Sequence, residues 1–310
     1  MQESIKIAAP ATISNVGPGF DILGFSTELI SDVIELRIRK GERNIIIENK
    51  GRRWATPTNP IENTAGIAVF EFLNFVKANF DVIIRIEKKI GIGTGLGSSA
   101  ASAAAVVFGL NEMLKTKLDE NELIKIAIKG EKASAGAEHA DNIAPSLLGG
   151  FTLIKGYSPL EIVKIENHLN FFVLILLPDI VINTSKARKI LKKTIPMNKV
   201  IEQSGNLASL IYAISKGELE LFFNSFKDSI IVPQRKKLIP FYDELQEHAF
   251  NKGARAFGMS GAGPATIALT ESKELAKTIG TELKLFLKTK NISANIFVTK
   301  LSLSGTHLIK

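Results

Sequence analysis

Between Gly91 and Ala105 the chain reads GIGTGLGSSAASAAA, four alternating glycines running through two serines into a block of alanines. Residues without a Cβ let the backbone turn tightly and gather several N–H groups around an anion. Ser98 or Ser99 is placed to cap a helix over Ala100–Leu114, whose free first-turn amides and positive dipole end would face the same anion. The stretch is therefore expected to be a phosphate-binding loop opening a helix, with serine hydroxyls also suited to Mg²⁺ held by phosphates. It is not a Walker A loop, because it lacks Gly-Lys-Ser/Thr and no lysine lies between Lys89 and Lys115. Close helix packing alone explains the alanines but not four alternating glycines followed by two serines.

The rest of the composition narrows the class. At 310 residues, 45% of them hydrophobic, the chain can bury one large core or about two. It has no cysteine, which excludes disulfides, thiolate metal sites and a cysteine nucleophile. The longest apolar runs, 100–110 and 171–177, fall short of the roughly 18–20 residues that cross a bilayer. The N-terminal MQESIKIAAPAT lacks the basic flank and apolar stretch of a signal peptide. No membrane partner is expected, and the expected location is cytoplasmic. A net charge of +8 suits an anionic ligand. The lysines, however, are scattered among apolar residues through 115–132, 186–199 and 273–290, as on solvated helix faces, so nucleic acid is not expected as a partner.

Hydrophobic patterning predicts a mixed α+β chain. Strands are expected at Ile5–Ala9, Val33–Arg39, Asn44–Glu48 and Phe80–Glu87, and helices at Thr64–Lys77, Ser99–Lys115 and Asp119–Ser134. After Gly149-Gly150 come strand-like Phe151–Ile154 and the apolar run Phe171–Leu177, which suits a strand buried on both faces. Helical segments follow at 184–193, 198–215 and 217–227. The stretch 235–310 reads helix, strand (Ala254–Met259), tight turn (Gly261–Gly263), strand (Ala265–Thr270), helix (Ser272–Thr289) and strand (Ala294–Leu301). No linker marks the expected boundary near 150–180, so two halves packed closely around one site are expected.

Three further clusters carry possible chemistry. In Ala9–Gly24, Asn15 and Asp21 bracket the Gly17-Pro18-Gly19 turn, either as ordinary turn formers or as side chains holding a small polar substrate. In Gly130–Gly150, Leu123, Ala127 and Glu131 share one helix face, which places a carboxylate in line with inward-facing apolar positions. Such a carboxylate needs Mg²⁺, a hydrogen bond or a lysine as partner. Next, His139, Asp141 and Asn142 precede Pro145 in a segment expected to lack regular secondary structure and to form a binding loop. In Gly258–Pro264, GMSGAGP makes either a plain hairpin turn or a second anion nest from the amides of Ser260, Gly261 and Ala262.

Together, Pro10–Gly24, Gly91–Ala101 and Gly258–Pro264 resemble, in order and spacing, the three motifs of the GHMP family of small-molecule kinases. The segment from Glu131 through His139-Ala140-Asp141-Asn142-Ile143-Ala144-Pro145 to Gly149-Gly150 is similar to the stretch that marks the branch acting on L-homoserine. Arg188 in TSKAR and Arg235 in VPQR resemble that branch's carboxylate-binding arginines. The likeness covers nearly the whole chain. It implies an α+β, two-domain GHMP kinase fold. Residues 1–155 would resemble ribosomal protein S5 domain 2, and 156–310 would be ferredoxin-like.

The implied reaction moves a phosphoryl group from ATP to the hydroxyl of L-homoserine, a step toward threonine. The resemblance implies that Gly91, Gly93, Thr94, Gly95, Leu96, Gly97, Ser98 and Ser99 form the nucleotide loop, with Ser260, Gly261 and Ala262 beside it. Asn63 would lie at the adenine, and Ser99 and Glu131 would ligate Mg²⁺. Asn15, Asp21, His139, Asp141, Asn142, Arg188 and Arg235 would form the substrate site. Asp21, Ser99 and Glu131 are expected to carry the reaction, with Asp21 pairing the substrate ammonium and no dedicated strong base. A homodimer is also implied. Two departures stand out: Gly91 replaces the family's usual opening proline, and VPQR replaces the commoner EPYR. The alternatives are another family kinase, of shikimate or mevalonate type, or a catalytically silent member. The glycines, Ser99 and Glu131, all present, argue against the latter.

Overall fold

The computed structural model describes residues 3–51, 54–135 and 139–309. The first half runs β1 (Glu3–Ser14), β2 (Leu23–Lys40), β3 (Ile45–Asn49), α1 (Thr64–Phe75), β4 (Phe80–Glu87), α2 (Ser98–Leu114), α3 (Glu120–Ala135), α4 (Ile143–Leu148), β5 (Phe151–Tyr157) and β6 (Leu160–Ile165). The second runs β7 (Phe172–Pro178), α5 (Thr184–Lys189), α6 (Met197–Lys216), α7 (Leu219–Ser225), α8 (Val232–Arg235), α9 (Tyr242–Asn251), β8 (Ala256–Met259), β9 (Thr266–Thr270), α10 (Lys273–Thr289), β10 (Ala294–Thr299) and β11 (His307–Ile309).

The first sheet has the order β11-β1-β2-β4-β3. Its long β2 divides its edge, pairing Val33–Lys40 with β4 and Leu23–Phe25 with β5. In β4 the inward Val82, Ile84 and Ile86 are buried while Ile83, Arg85 and Glu87 are less so, the alternation that Phe80–Glu87 shows in sequence. Helix α2 is apolar nearly all round because it is enclosed nearly all round, packing on β1, β2, α1, α3 and α4. Its small residues set that closeness: a Cβ on Gly109 would fall 2.6 Å from Leu36 Cδ1 and 2.7 Å from Ile7 Cδ1.

The second sheet is antiparallel, in the order β10-β7-β9-β8. Central β7 is buried on both faces, as its apolar run implies. Val173 and Ile175 belong to the core shared with the first half, and Leu174 and Leu176 to the core under α9 and α10. Helix α10 is capped by Ser272, whose Oγ accepts from Leu275 N at 3.1 Å, and buries Ala276, Ile279, Leu283 and Leu287 along one stripe. A cluster of Phe25, Phe151, Phe171 and Phe222 joins the halves, with ring centroids 5.0–6.4 Å apart.

Three elements differ from the sequence expectation. The stretch after Asn142 is not irregular: Ile143–Leu148 forms α4, which tolerates Pro145 because first-turn amides need no intrahelical partner. Residues 136–138 of the same segment lie outside the described residues. Strand β6 pairs along β5, and β11 returns to β1 after Leu301 bridges Thr27, so the chain's last strand completes the first sheet. Strand β6 forms through a tight hairpin with β5, whereas β11 depends on a partner some 300 residues away.

Candidate active site

Where the halves meet lies a cleft of about 490 Å³. Its floor at one end is the glycine loop between β4 and α2, with Gly93, Thr94, Gly95, Gly97, Ser98 and Ser99 on the wall. No serine caps α2, contrary to expectation. The N-cap is Gly97 at φ +69°, with no side-chain hydrogen bond, so the first-turn amides are left for a ligand. The hydroxyl of Ser98 is turned away, donating to Ile90 O at 3.1 Å, and Thr94 Oγ1 donates to Gly91 O at 2.7 Å. Gly91 and Leu96 do not line the cleft. Leu96 is core, and its carbonyl accepts from Thr12 N.

The turn Ser260–Gly263 backs this loop. The second-nest expectation is corrected at two of its three amides: Ser260 N donates to Ala265 O at 2.9 Å and Gly261 N to Ser14 O at 3.1 Å. Ser260 is fully buried and its Oγ donates to Gly95 O at 2.6 Å. A Cβ on Gly95 would stand 2.6 Å from Ser260 O, so the two glycine turns meet backbone to backbone. Gly261 and Ala262 line the cleft.

On α3, Glu131 faces inward with Leu123 and Ala127, as the helical spacing implies. Ser99 Oγ donates to its Oε1 at 2.7 Å, and burial pushes its carboxyl pKa up. Asn63 lines the cleft, but its side chain caps α1 at Ala65 N and also donates to Thr56 Oγ1 and Pro57 O. It thereby braces the wall formed by Thr56 and Pro57.

The rest of the cleft is built from two loops, 15–21 and 139–142, and two short helices, α5 and α8. Asn15 and Asp21, at φ +57° and +61°, fold the turn after β1. Asn15 Oδ1 accepts from Asp21 N at 2.8 Å and its Nδ2 donates to Gly261 O at 2.9 Å. The Asp21 carboxylate takes two 2.7 Å hydrogen bonds from Arg188 Nη2 on α5, with His139 Nδ1 3.5 Å away. Arg235, on α8, is 3% exposed and donates from Nε to Ala187 O and from Nη1 to Gly261 O. Burial pulls the pKa of His139 and of Arg235 down. Asp141 is 2% exposed, and burial, aided by the Asp21 charge, pushes its carboxyl to about 7. Asn142 precedes α4, its side chain held by Thr12 Oγ1 at 2.8 Å and Ser14 Oγ at 2.9 Å.

A family model described as "GHMP kinases N terminal domain" matches residues 63–150, and one described as "GHMP kinases C terminal" matches 210–289. A homoserine kinase of Methanococcus maripaludis is 38% identical over 275 residues, covering 88% of this chain and 90% of that protein. The chain belongs to the GHMP kinases. A homoserine kinase of Chlorobium phaeobacteroides is 34% identical, covering 97% of this chain and 98% of that one. The crystal structure of homoserine kinase from Cytophaga hutchinsonii superposes with a TM-score of 0.92 at 35% identity, covering 100% of this chain and 98% of the other. The α+β, two-domain GHMP kinase fold is thereby established.

Three residues of this GHMP kinase escape sequence reasoning. Lys88 lies immediately before the loop and lines the cleft. Its Nζ donates to Asp32, to Ser98 O and, at 2.9 Å, to Ser102 Oγ, and burial pulls its pKa down against the pull of Asp32. The loop thus has a lysine at its root, although none within it. Tyr157 Oη donates to Asp21 O at 2.8 Å and accepts from Ala140 N at 3.3 Å, tying the two loops together. Phe20 stands beneath both arginines, 5.3 Å from Arg188 and 4.8 Å from Arg235. Only the aromatic beside Asp21 carried a signal in sequence, through its place inside the first motif.

Proposed function

We infer that this chain transfers the γ-phosphoryl group of ATP to the side-chain hydroxyl of L-homoserine, giving O-phospho-L-homoserine, a step toward threonine. One observation carries the reading: a carboxylate, Asp21, and two guanidiniums, Arg188 and Arg235, share one cleft with the glycine loop. An α-amino acid offers the ammonium and carboxylate that match them. The relatives named above, homoserine kinases at 34–38% identity, support the same substrate. Mevalonate and shikimate carry no ammonium for Asp21.

The residues present fit Mg²⁺. One carboxylate and one hydroxyl, Glu131 and Ser99, lie 2.7 Å apart beside the loop, a set that suits an ion completed by phosphate oxygens and water. Among the described residues no group of three or more His, Asp or Glu is placed to hold a metal ion by itself, so the nucleotide's phosphates would supply the remaining ligands. When bound, the ion neutralises charge on the transferring phosphoryl group. The chain supplies the rest: loop amides and the uncapped α2 N-terminus receive the phosphates, and the loops at 15–21 and 139–142 aim the hydroxyl.

A carboxylate held by guanidinium or ammonium is a weak base, so Asp21 binds and the hydroxyl attacks without a dedicated strong base. Asp21→Asn tests this by steady-state kinetics. The KM for homoserine is expected to rise by roughly 30-fold or more, the loss of a charge-assisted bond, with kcat largely kept. Abolished turnover at unchanged homoserine affinity would make Asp21 the base. A cytoplasmic homodimer is the assembly we expect, and light scattering of the purified protein checks it. Among the described residues no helix is long and apolar enough to cross a membrane.

A further inference from the structure

Arg188 and Arg235 are anchored very differently. Arg235 is buried and spends its Nε and Nη1 on backbone carbonyls of Ala187 and Gly261. The hydrogen bonds of Arg188 among the described residues all leave from Nη2, two to Asp21 and one contact of 3.3 Å to His139, while its Nε is buried with no partner. Its main polar anchor is therefore the carboxylate that, under the proposed function, a substrate ammonium engages. Arg188 also rests on Phe20, whose ring supports Arg235 as well.

We propose that Phe20 is a positioning residue that holds the two guanidiniums side by side as a carboxylate clamp when Asp21 turns to the ammonium. This rests on the amino-acid reading of the site. Arg235 is buried while Arg188 keeps 38% of its side chain exposed; two like charges brought together repel, and the negative face of an aromatic ring attracts each of them. A ring in contact with both offsets part of their mutual repulsion and replaces part of the hydration that buried Arg235 has lost. Phe20 does not line the cleft, so it acts through the arginines. Its place between Gly19 and Asp21 makes the turn that presents the carboxylate also present the platform for its partners.

Phe20→Leu keeps an apolar side chain and removes the ring, and Phe20→Tyr keeps the ring. Both are compared with wild type in steady-state assays varying homoserine and ATP separately, with melting temperatures recorded. Phe20→Leu is expected to raise the homoserine KM about tenfold. Its kcat and its KM for ATP stay within about twofold of wild type, the pattern of lost uniform binding. Phe20→Tyr is expected to restore the wild-type KM. An unchanged homoserine KM in Phe20→Leu, equal impairment by Leu and Tyr, or a parallel loss in kcat and ATP binding overturns the clamp while the substrate reading stands. Wild-type protein inactive on homoserine overturns the substrate reading and the clamp with it.

Discussion

Replacing Gly97 by alanine strikes the point where the loop, α2 and the substrate end are joined. Gly97 sits at φ +69°, a conformation that costs a residue with a Cβ about 1–2 kcal/mol. The added Cβ would lie 1.9 Å from Thr12 Oγ1 and 2.9 Å from Asn142 Oδ1, well inside contact distance. Thr12 is fully buried and its hydroxyl donates to Asn142 at 2.8 Å, so relieving the overlap separates a buried hydrogen-bonded pair, at about 1–3 kcal/mol. The sum is roughly 2–5 kcal/mol, a fall in melting temperature of roughly 3–8 °C for a chain this long. Because the displaced groups frame the first turn of α2, the KM for ATP should rise by about tenfold or more in steady-state assays. Gly205→Ala is the control: it lies within α6 with nothing within 4 Å of an added Cβ, and alanine there should leave activity alone and stabilise by up to about 1 kcal/mol. A Gly97→Ala protein that melts with wild type and binds ATP normally would refute the reasoning.

Two other substitutions probe the buried charges. Lys88→Met leaves Asp32 fully buried without its counter-charge and is expected to destabilise by about 3–5 kcal/mol in urea unfolding; full stability would show that the pair contributes nothing. Asp141 has a folded-state pKa of about 7, above its unfolded value of 3.8, so its contribution to stability is fully present below the unfolded value and is lost as pH rises through 7. Asp141→Asn abolishes that dependence, and its stability relative to wild type should grow between pH 5 and pH 8 by on the order of 3 kcal/mol; parallel curves for the two proteins would contradict it.

Much of this was legible in the residues. Phe80–Glu87 alternates and forms β4 over those residues, and Thr64, Ser98 and Lys273 begin helices at or within a residue of their expected starts. The glycine loop, Glu131 and the two arginines converge on one cleft from separate segments, as the resemblance implied from the second motif, the Glu131–Gly150 stretch and the two separate arginine matches. What stayed hidden depended on partners distant in the chain. Lys88 acquires its meaning from Asp32, 56 residues away, and Ser260, polar and loop-borne, spends its hydroxyl on Gly95. Helix α4 was obscured because alanine, glycine and proline say little when a first turn tolerates proline. Strand β11, three residues long, exists only through its pairing with β1.

The most direct test is a ³¹P NMR assay of the purified protein with Mg·ATP and, in separate samples, L-homoserine, mevalonate and shikimate. A new phosphomonoester resonance with L-homoserine alone is the expected result. A resonance with mevalonate or shikimate in its place would contradict the pairing of Asp21, Arg188 and Arg235 with an amino acid, and none with any of the three would contradict phosphoryl transfer to this substrate class altogether.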